Sequence, residues 1–132
     1  MHYTVETMKE LGLDSAQSTR LSQMLTDDVC RRLGIFAIPA DFKLSVVIPV
    51  YNEVSTVLKV IEQVRSTRLP LEIIVVDDGS QDGTRQQLTQ LPESEDLRIV
   101  FHEHNQGKGA ALRTGFGLAS GTAVVVQDAD LE

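Results

Sequence analysis

The sequence predicts an α/β protein built on a doubly wound, mainly parallel sheet. Three observations predict it. Short runs rich in β-branched residues recur at 44–50, 72–77, 98–102 and 123–126. These runs are apolar without alternation, as strands covered on both faces are. Between them lie three segments of helical character joined by short connections, the order that right-handed parallel crossovers require.

Residues 1–43 differ in character from 44–132 and are expected to form a helical extension and linker. Asp14 or Ser15 can cap a helix running to Leu33, with Gly34 as its stop. Leu21, Leu25, Val29 and Leu33, with Met24 beside them, form one apolar stripe for packing on the main domain or a partner chain. Ile38 to Asp41 is expected to be a linker, because Pro39 disfavours helix at its own position and the one before. Arg31 and Arg32 suit the end of that helix and solvent.

Leu44 to Val50 is the first expected strand, with Pro49 marking its exit. A helix from about Glu53 to Arg65 follows, with Val57, Leu58, Ile61 and Val64 inward and Asn52 or Ser55 as cap. Glu72 to Asp77 is the second strand. Asp78-Gly79-Ser80 is a turn, and Asp82-Gly83-Thr84 starts a second helix to about Gln90. After a polar loop from Pro92 to Asp96, Arg98 to His102 is the third strand. Gly107 to Ala119 is a third helix, its Ala and Gly content pointing to close packing on the sheet. Ala123 to Val126 is the fourth strand, expected to be buried, and it leads into Asp128-Ala129-Asp130.

The bulk properties bound the function. The chain has 132 residues, enough for one compact domain with a core. Twelve basic against nineteen acidic residues give a net charge of −7, which argues against a nucleic-acid surface. It does not exclude a nucleotide held through a metal ion, because the ion supplies the positive charge. One cysteine, Cys30, excludes an internal disulfide and a cysteine-rich zinc site. No apolar run approaches the roughly 18 residues that span a bilayer, and the N-terminus has no apolar signal-peptide core. A cytoplasmic protein is the expectation, with the cytoplasmic face of a membrane, reached through a missing part or a partner, as an open variant.

Four polar clusters stand at or just beyond strand ends, the edge where open α/β sheets bind ligands. Asp128 and Asp130 alternate across one residue. They make a strand-end turn or helix cap, or else two hard oxygen ligands for one Mg²⁺ or Mn²⁺ that grips a diphosphate. Asp77-Asp78-Gly79-Ser80 is a plain turn or a turn whose carboxylate accepts from a base or ribose. In Pro49 to Glu53, Tyr51 is core or a stacking surface for a base, and Glu53 is a first-turn acid. Asn105 to Gly109 is a flexible loop, or a helix start whose Lys108 suits an anion. It is not a Walker A loop, because Gly109 follows Lys108, nor a dinucleotide fingerprint, because Leu112 stands at the third small position. His102 and His104 flank Glu103 and are expected to be solvated; His2 joins no metal-ligand pattern.

Val47 to Glu53, Glu72 to Ser80, Asn105 to Ala111 and Asp128 to Asp130, in that order, resemble glycosyltransferase family 2. The nearest flavour is the dolichol- and polyprenyl-phosphate sugar transferases. The resemblance covers 44–132 and implies a GT-A fold with inverting transfer from a UDP- or GDP-linked sugar. It implies that Pro49, Tyr51 and Glu53 line the nucleotide pocket, and that Val76 and Asp78 contact base and ribose with Asp77 close by. It places Asp128, Ala129 and Asp130 at ribose, diphosphate and metal, with Asp128 and Asp130 as metal ligands and Lys108 on the rim. The family continues beyond this strand, so the expectation is the donor-binding half of a larger enzyme. The catalytic base and acceptor site would lie in that missing half, with a lipid phosphate among the candidate acceptors; a homo-oligomer is the other partner expected. The rival readings are a non-catalytic nucleotide- or partner-binding module, and a nucleotidyltransferase.

Overall fold

The computed structural model describes residues 14, 16, 17, 20, 24, 29, 32, 39, 41–92 and 94–131. Met1–Ala40 and Asp41–Glu132 form two compact units.

In the first unit, residues 16, 17, 20, 24, 29 and 32 are helical. Asp14 Oδ1 accepts from the Gln17 amide at 2.7 Å, and Gln17 Oε1 accepts from the Asp14 amide at 3.0 Å. This reciprocal cap decides for Asp14 over Ser15, which lies outside the described residues. Met24, expected beside the apolar stripe, is 71% exposed. Val29 is half-buried. Leu21, Leu25, Cys30, Arg31, Leu33, Gly34, Ile38 and Ala40 lie outside the described residues.

The second unit alternates strand and helix: β1 (Leu44–Val50), α1 (Val57–Ser66), β2 (Leu71–Asp77), α2 (Thr84–Thr89), β3 (Leu97–Phe101), α3 (Lys108–Leu118) and β4 (Ala123–Val126). The strands are all parallel, in the order β3-β2-β1-β4. The chain therefore adds strands outward from β1 on one side, then returns to the other side for β4. That reversal puts the switch point between the carboxyl ends of β1 and β4.

Both faces of the central strands are covered. Val46, Ile48, Val50, Ile73 and Val75 pack with Val57, Val60 and Ile61 of α1 and Leu88 of α2. The alternate residues Val47, Ile74 and Val76 pack with Ala111 of α3. The absence of a Cβ at Gly115 lets α3 lie on the side chain of Val47.

Several expectations shift. Leu58 is 39% exposed and Val60 takes its place inward, because α1 starts at Val57 and its buried face follows the 57, 60, 61, 64 spacing. The N-cap is Thr56, without a side-chain cap bond. Asn52 instead sits in the left-handed region at φ 56° and its Oδ1 accepts from the Gln81 amide. The third strand begins one residue earlier than expected and ends at Phe101. β1 keeps its expected bounds, with Pro49 next to its last residue, Val50. Val50 O accepts from Asp78 on the β2 side, and Val47 O accepts from Gln127 on the β4 side. Pro49 shares the orientation of Val47 but stands past the last β1–β4 pair, Val47 with Val126. Its missing N–H therefore removes no ladder bond. Finally, β4 is exposed along its whole length rather than buried. It is one of the two edge strands, paired only with β1 among the described residues, while α3 lies over β1 and β2. No helix among the described residues is long and apolar enough to cross a membrane.

Candidate functional site

The loops that follow the four strands meet in one cleft of about 260 Å³. Pro49, Val50, Tyr51 and Glu53 come from the end of β1, and Asp78 from the end of β2. Asn105, Gly107, Lys108 and Ala111 come from the loop after β3 and the first turn of α3; Asp128, Ala129 and Asp130 follow β4. Eight of the nine residues expected to bind substrate thus line one cavity. Val76 does not, because its side chain is wholly buried against α3.

Ala129 organises the Asp-x-Asp segment. Its side chain is buried in the cluster formed by Val46, Ile48 and Val50, so the two flanking residues, Asp128 and Asp130, stay exposed at the cleft. Asp128 Oδ1 lies 2.6 Å from Lys108 Nζ, a pair open to solvent on both sides. Two carboxylates offer hard oxygen donors and a partly neutralised charge, which suits Mg²⁺ or Mn²⁺. Among the described residues no third His, Cys, Asp or Glu joins them in a metal-ligating group. A diphosphate and water would have to complete the coordination of an ion held there.

Asp78 is almost fully buried and accepts from three donors. Its carboxylate takes His102 Nδ1 at 2.7 Å, the Gly107 amide at 2.7 Å, and the Gln106 amide at 3.1 Å and 3.2 Å to its two oxygens. Burial alone would raise its pKa; the bonds from His102, Gln106 and Gly107 outweigh it and hold the carboxyl below its ordinary value. His102 is therefore not solvated: only 10% of its side chain is exposed, because Asp78 and Thr114 satisfy both ring nitrogens. His104 is exposed, as expected.

Asp77 is wholly buried but stands behind the cleft rather than in its wall. It accepts from Arg85 Nε at 2.9 Å and from the Ser80 amide at 3.4 Å. Arg85 stacks over the Phe101 ring at 5.2 Å and also donates to His102 O. The two consecutive aspartates thus divide the work: Asp77 anchors β2 to α2 and β3, and Asp78 anchors the loop entering α3. Glu53 Oε2 accepts from Thr56 Oγ1 at 2.9 Å, and its amide donates to Thr84 Oγ1 at 2.9 Å, fixing the β1–α1 turn. Tyr51 is 45% exposed at the cleft, which places it as a surface rather than as core.

Residues 45–132 match the sequence profile of Glycosyl transferase family 2. The chain belongs to that family. Among family 2 relatives, the undecaprenyl-phosphate 4-deoxy-4-formamido-L-arabinose transferase of Yersinia enterocolitica is 38% identical over 97 residues, covering 68% of this chain and 29% of that protein. The fold matches the mannosyltransferase PcManGT of Pyrobaculum calidifontis, solved with GDP-Man and Mn²⁺, at TM-score 0.61 and 32% identity over 66% of this chain and 27% of that one. It also matches the glucosyl-3-phosphoglycerate synthase of Mycobacterium tuberculosis, solved with Mn²⁺, UDP and glucosyl-3-phosphoglycerate. There the TM-score is 0.57 and the identity 33%, over 70% of this chain and 35% of that one. The chain spans less than a third of the length of the curated relative.

Val50, Asn105, Gly107 and Ala111 in the cleft wall of this family 2 chain, and His102 behind it, were not among the residues expected to bind. Ala111 has a signal in retrospect: it is the small residue one turn into a helix that begins at the cleft. His102 has none, since its role comes from the pairing of β2 with β3, which brings Asp78 beside it.

Proposed function

We propose that this chain forms the donor-binding part of a family 2 glycosyltransferase. The cleft takes a UDP- or GDP-linked sugar, and Asp128 and Asp130 hold Mg²⁺ or Mn²⁺ against its diphosphate. The single observation that carries this reading is the convergence of loops from all four strands on one cavity that holds two exposed carboxylates, a lysine and a helix start. The solved neighbours that contain UDP or GDP-mannose with Mn²⁺ support it.

The chain's own groups then have distinct tasks. Tyr51 offers a ring for the base to stack on. The first intrahelical bonds of α3 run from Ala110 and Ala111 to Gly107 O. The amides before them, at Lys108 and Gly109, open toward the cleft end of the helix, where a phosphate is favoured. Lys108 adds a mobile positive charge at the same end. A bound divalent ion would neutralise charge that builds on the departing nucleoside diphosphate. The residues here orient the donor; the acceptor oxygen attacks the anomeric carbon from the opposite side, with inversion. A polyprenyl phosphate acceptor is supported by the names of relatives, among them the undecaprenyl-phosphate transferases of Yersinia, Serratia and Proteus.

Calorimetric titration of UDP and of GDP, each with and without Mn²⁺, tests the reading. Metal-dependent binding of at least one nucleotide is expected. Absence of any metal-dependent heat with either nucleotide would overturn it.

A further inference from the structure

We propose that His102 is a positioning residue of the cleft: through Asp78 it fixes the loop 104–107, and with that loop Lys108 and the start of α3. The inference rests on the nucleotide-binding reading and adds to it a residue that touches no ligand.

His102 follows the last residue of β3, and its amide donates to Asp77 O at 2.9 Å, so its backbone is tied to the end of β2. Its ring is a bridge. Nδ1 lies 2.7 Å from Asp78 Oδ1 and Nε2 lies 3.0 Å from Thr114 Oγ1 on α3. An ionised carboxylate only accepts, so Nδ1 carries a proton; in the neutral ring Nε2 then accepts from the Thr114 hydroxyl. The partners thus fix the tautomer and the ring plane together.

Asp78 passes this restraint on. With His102 in place, its remaining capacity goes to the amides of Gln106 and Gly107. Through these bonds the carboxylate holds the loop. The loop is seated from below as well: a Cβ on Gly79 would come within 2.6 Å of Asn105 N and His104 C, so the two turns touch backbone to backbone. Gly107, at φ 91°, is the N-cap of α3, and the next residue is Lys108, whose ammonium meets Asp128. A continuous path of hydrogen bonds and one covalent step therefore joins His102 to the cleft's cation and its acidic partner. Without the imidazole, Asp78 would be a buried carboxylate short of one donor. It would turn toward water, and the two amides it gathers would be released.

The test uses the complete chain with His102→Ala, His102→Phe and His102→Asn. The phenyl ring keeps the packing without a donor. The Asn amide places an N–H where imidazole Nδ1 stands, keeping the bond to Asp78 while losing Thr114. Two readouts are taken: calorimetry of UDP and GDP with Mn²⁺, and amide hydrogen exchange of Gln106 and Gly107 in the free protein. The loss of one charge-assisted bond predicts that His102→Ala and His102→Phe weaken both nucleotides about tenfold, with base preference unchanged. Exchange at Gln106 and Gly107 rises by a similar factor, and His102→Asn restores both readouts to within about threefold of wild type. If His102→Ala does not fold, His102→Phe carries the same expectation.

Wild-type affinity in His102→Phe, a loss confined to one base, or His102→Asn as weak as His102→Phe would each overturn the inference while leaving the nucleotide reading intact. A wild-type chain that binds neither nucleotide would overturn both.

Discussion

Lys108 Nζ stands 2.6 Å from Asp128 Oδ1, so the first cation beside the Asp-x-Asp pair belongs to the chain itself. The lysine and a divalent ion would share one carboxylate. Lys108→Met is therefore expected to separate two affinities. Binding of Mn²⁺ alone stays equal or tightens by about twofold, because an exposed pair is worth at most about 1 kcal/mol. Binding of UDP or GDP with Mn²⁺ weakens several-fold, because a charge near the phosphates is lost. Titration of Mn²⁺ alone and of Mn²⁺ with nucleotide reads both; nucleotide binding equal to wild type would remove Lys108 from the site.

Gly79 combines a φ of +77° with backbone contact to the 104–107 loop. Gly79→Ala is expected to cost about 1–3 kcal/mol through strain and overpacking. It should also lower nucleotide affinity, because the atoms it displaces belong to the loop that enters the cleft. Chemical denaturation and nucleotide titration on the same variant check the two effects; an unchanged affinity would mean that the loop adjusts without moving Gly107 or Lys108.

Arg85 is the cationic partner of the wholly buried Asp77. Arg85→Met leaves that carboxylate uncompensated and is expected to cost about 3 kcal/mol, since breaking a buried pair costs more than the pair contributes. The double variant Asp77→Leu with Arg85→Met should recover much of the loss. Urea unfolding of the three proteins tests this, and a double variant no better than Arg85→Met would contradict the uncompensated-charge account.

At the opposite edge of the sheet, Glu72 accepts from Lys43 Nζ at 2.8 Å, Ser45 Oγ at 2.6 Å and the Ser120 amide at 2.6 Å. Burial opposes its charge, but these bonds prevail and bring its pKa down from 4.5 to about 2. A carboxyl whose folded pKa is depressed gives stability that is complete above its unfolded value of 4.5 and lost as pH falls toward about 2. Denaturation of wild type and Glu72→Gln should differ by on the order of 2 kcal/mol at pH 7, allowing for the solvent around Lys43, and converge near pH 2. A difference independent of pH would contradict this.

The parallel sheet and the shared edge of the cleft were legible because both follow from local pattern; the strand order was not. Continuous β-branched runs specify covered strands, and in a parallel sheet every strand end falls on one edge. Pro49 to Glu53, Asp78, Lys108 and Asp128 to Asp130 therefore had to share that edge once the topology was known. What failed depended on neighbours. Val124 to Val126 look like buried strand residues in sequence, yet coverage by α3 stops at β1. Val76 alternates with Val75 and Asp77, and only the placement of α3 shows that it faces away from the cleft. His102 resembled a surface histidine beside Glu103 until strand pairing set it against Asp78.

In the proposed reading, one divalent ion and one nucleotide share the cleft between the ends of β1 and β4. Amide NMR spectra of the chain with UDP, recorded before and after substoichiometric Mn²⁺, are the decisive test. Paramagnetic broadening is expected to centre on Asp128 to Leu131, to reach the amides near Tyr51, Gly107 and Lys108, and to vanish in Asp130→Ala. Broadening elsewhere while these amides stay sharp, or the same pattern in Asp130→Ala, would contradict it.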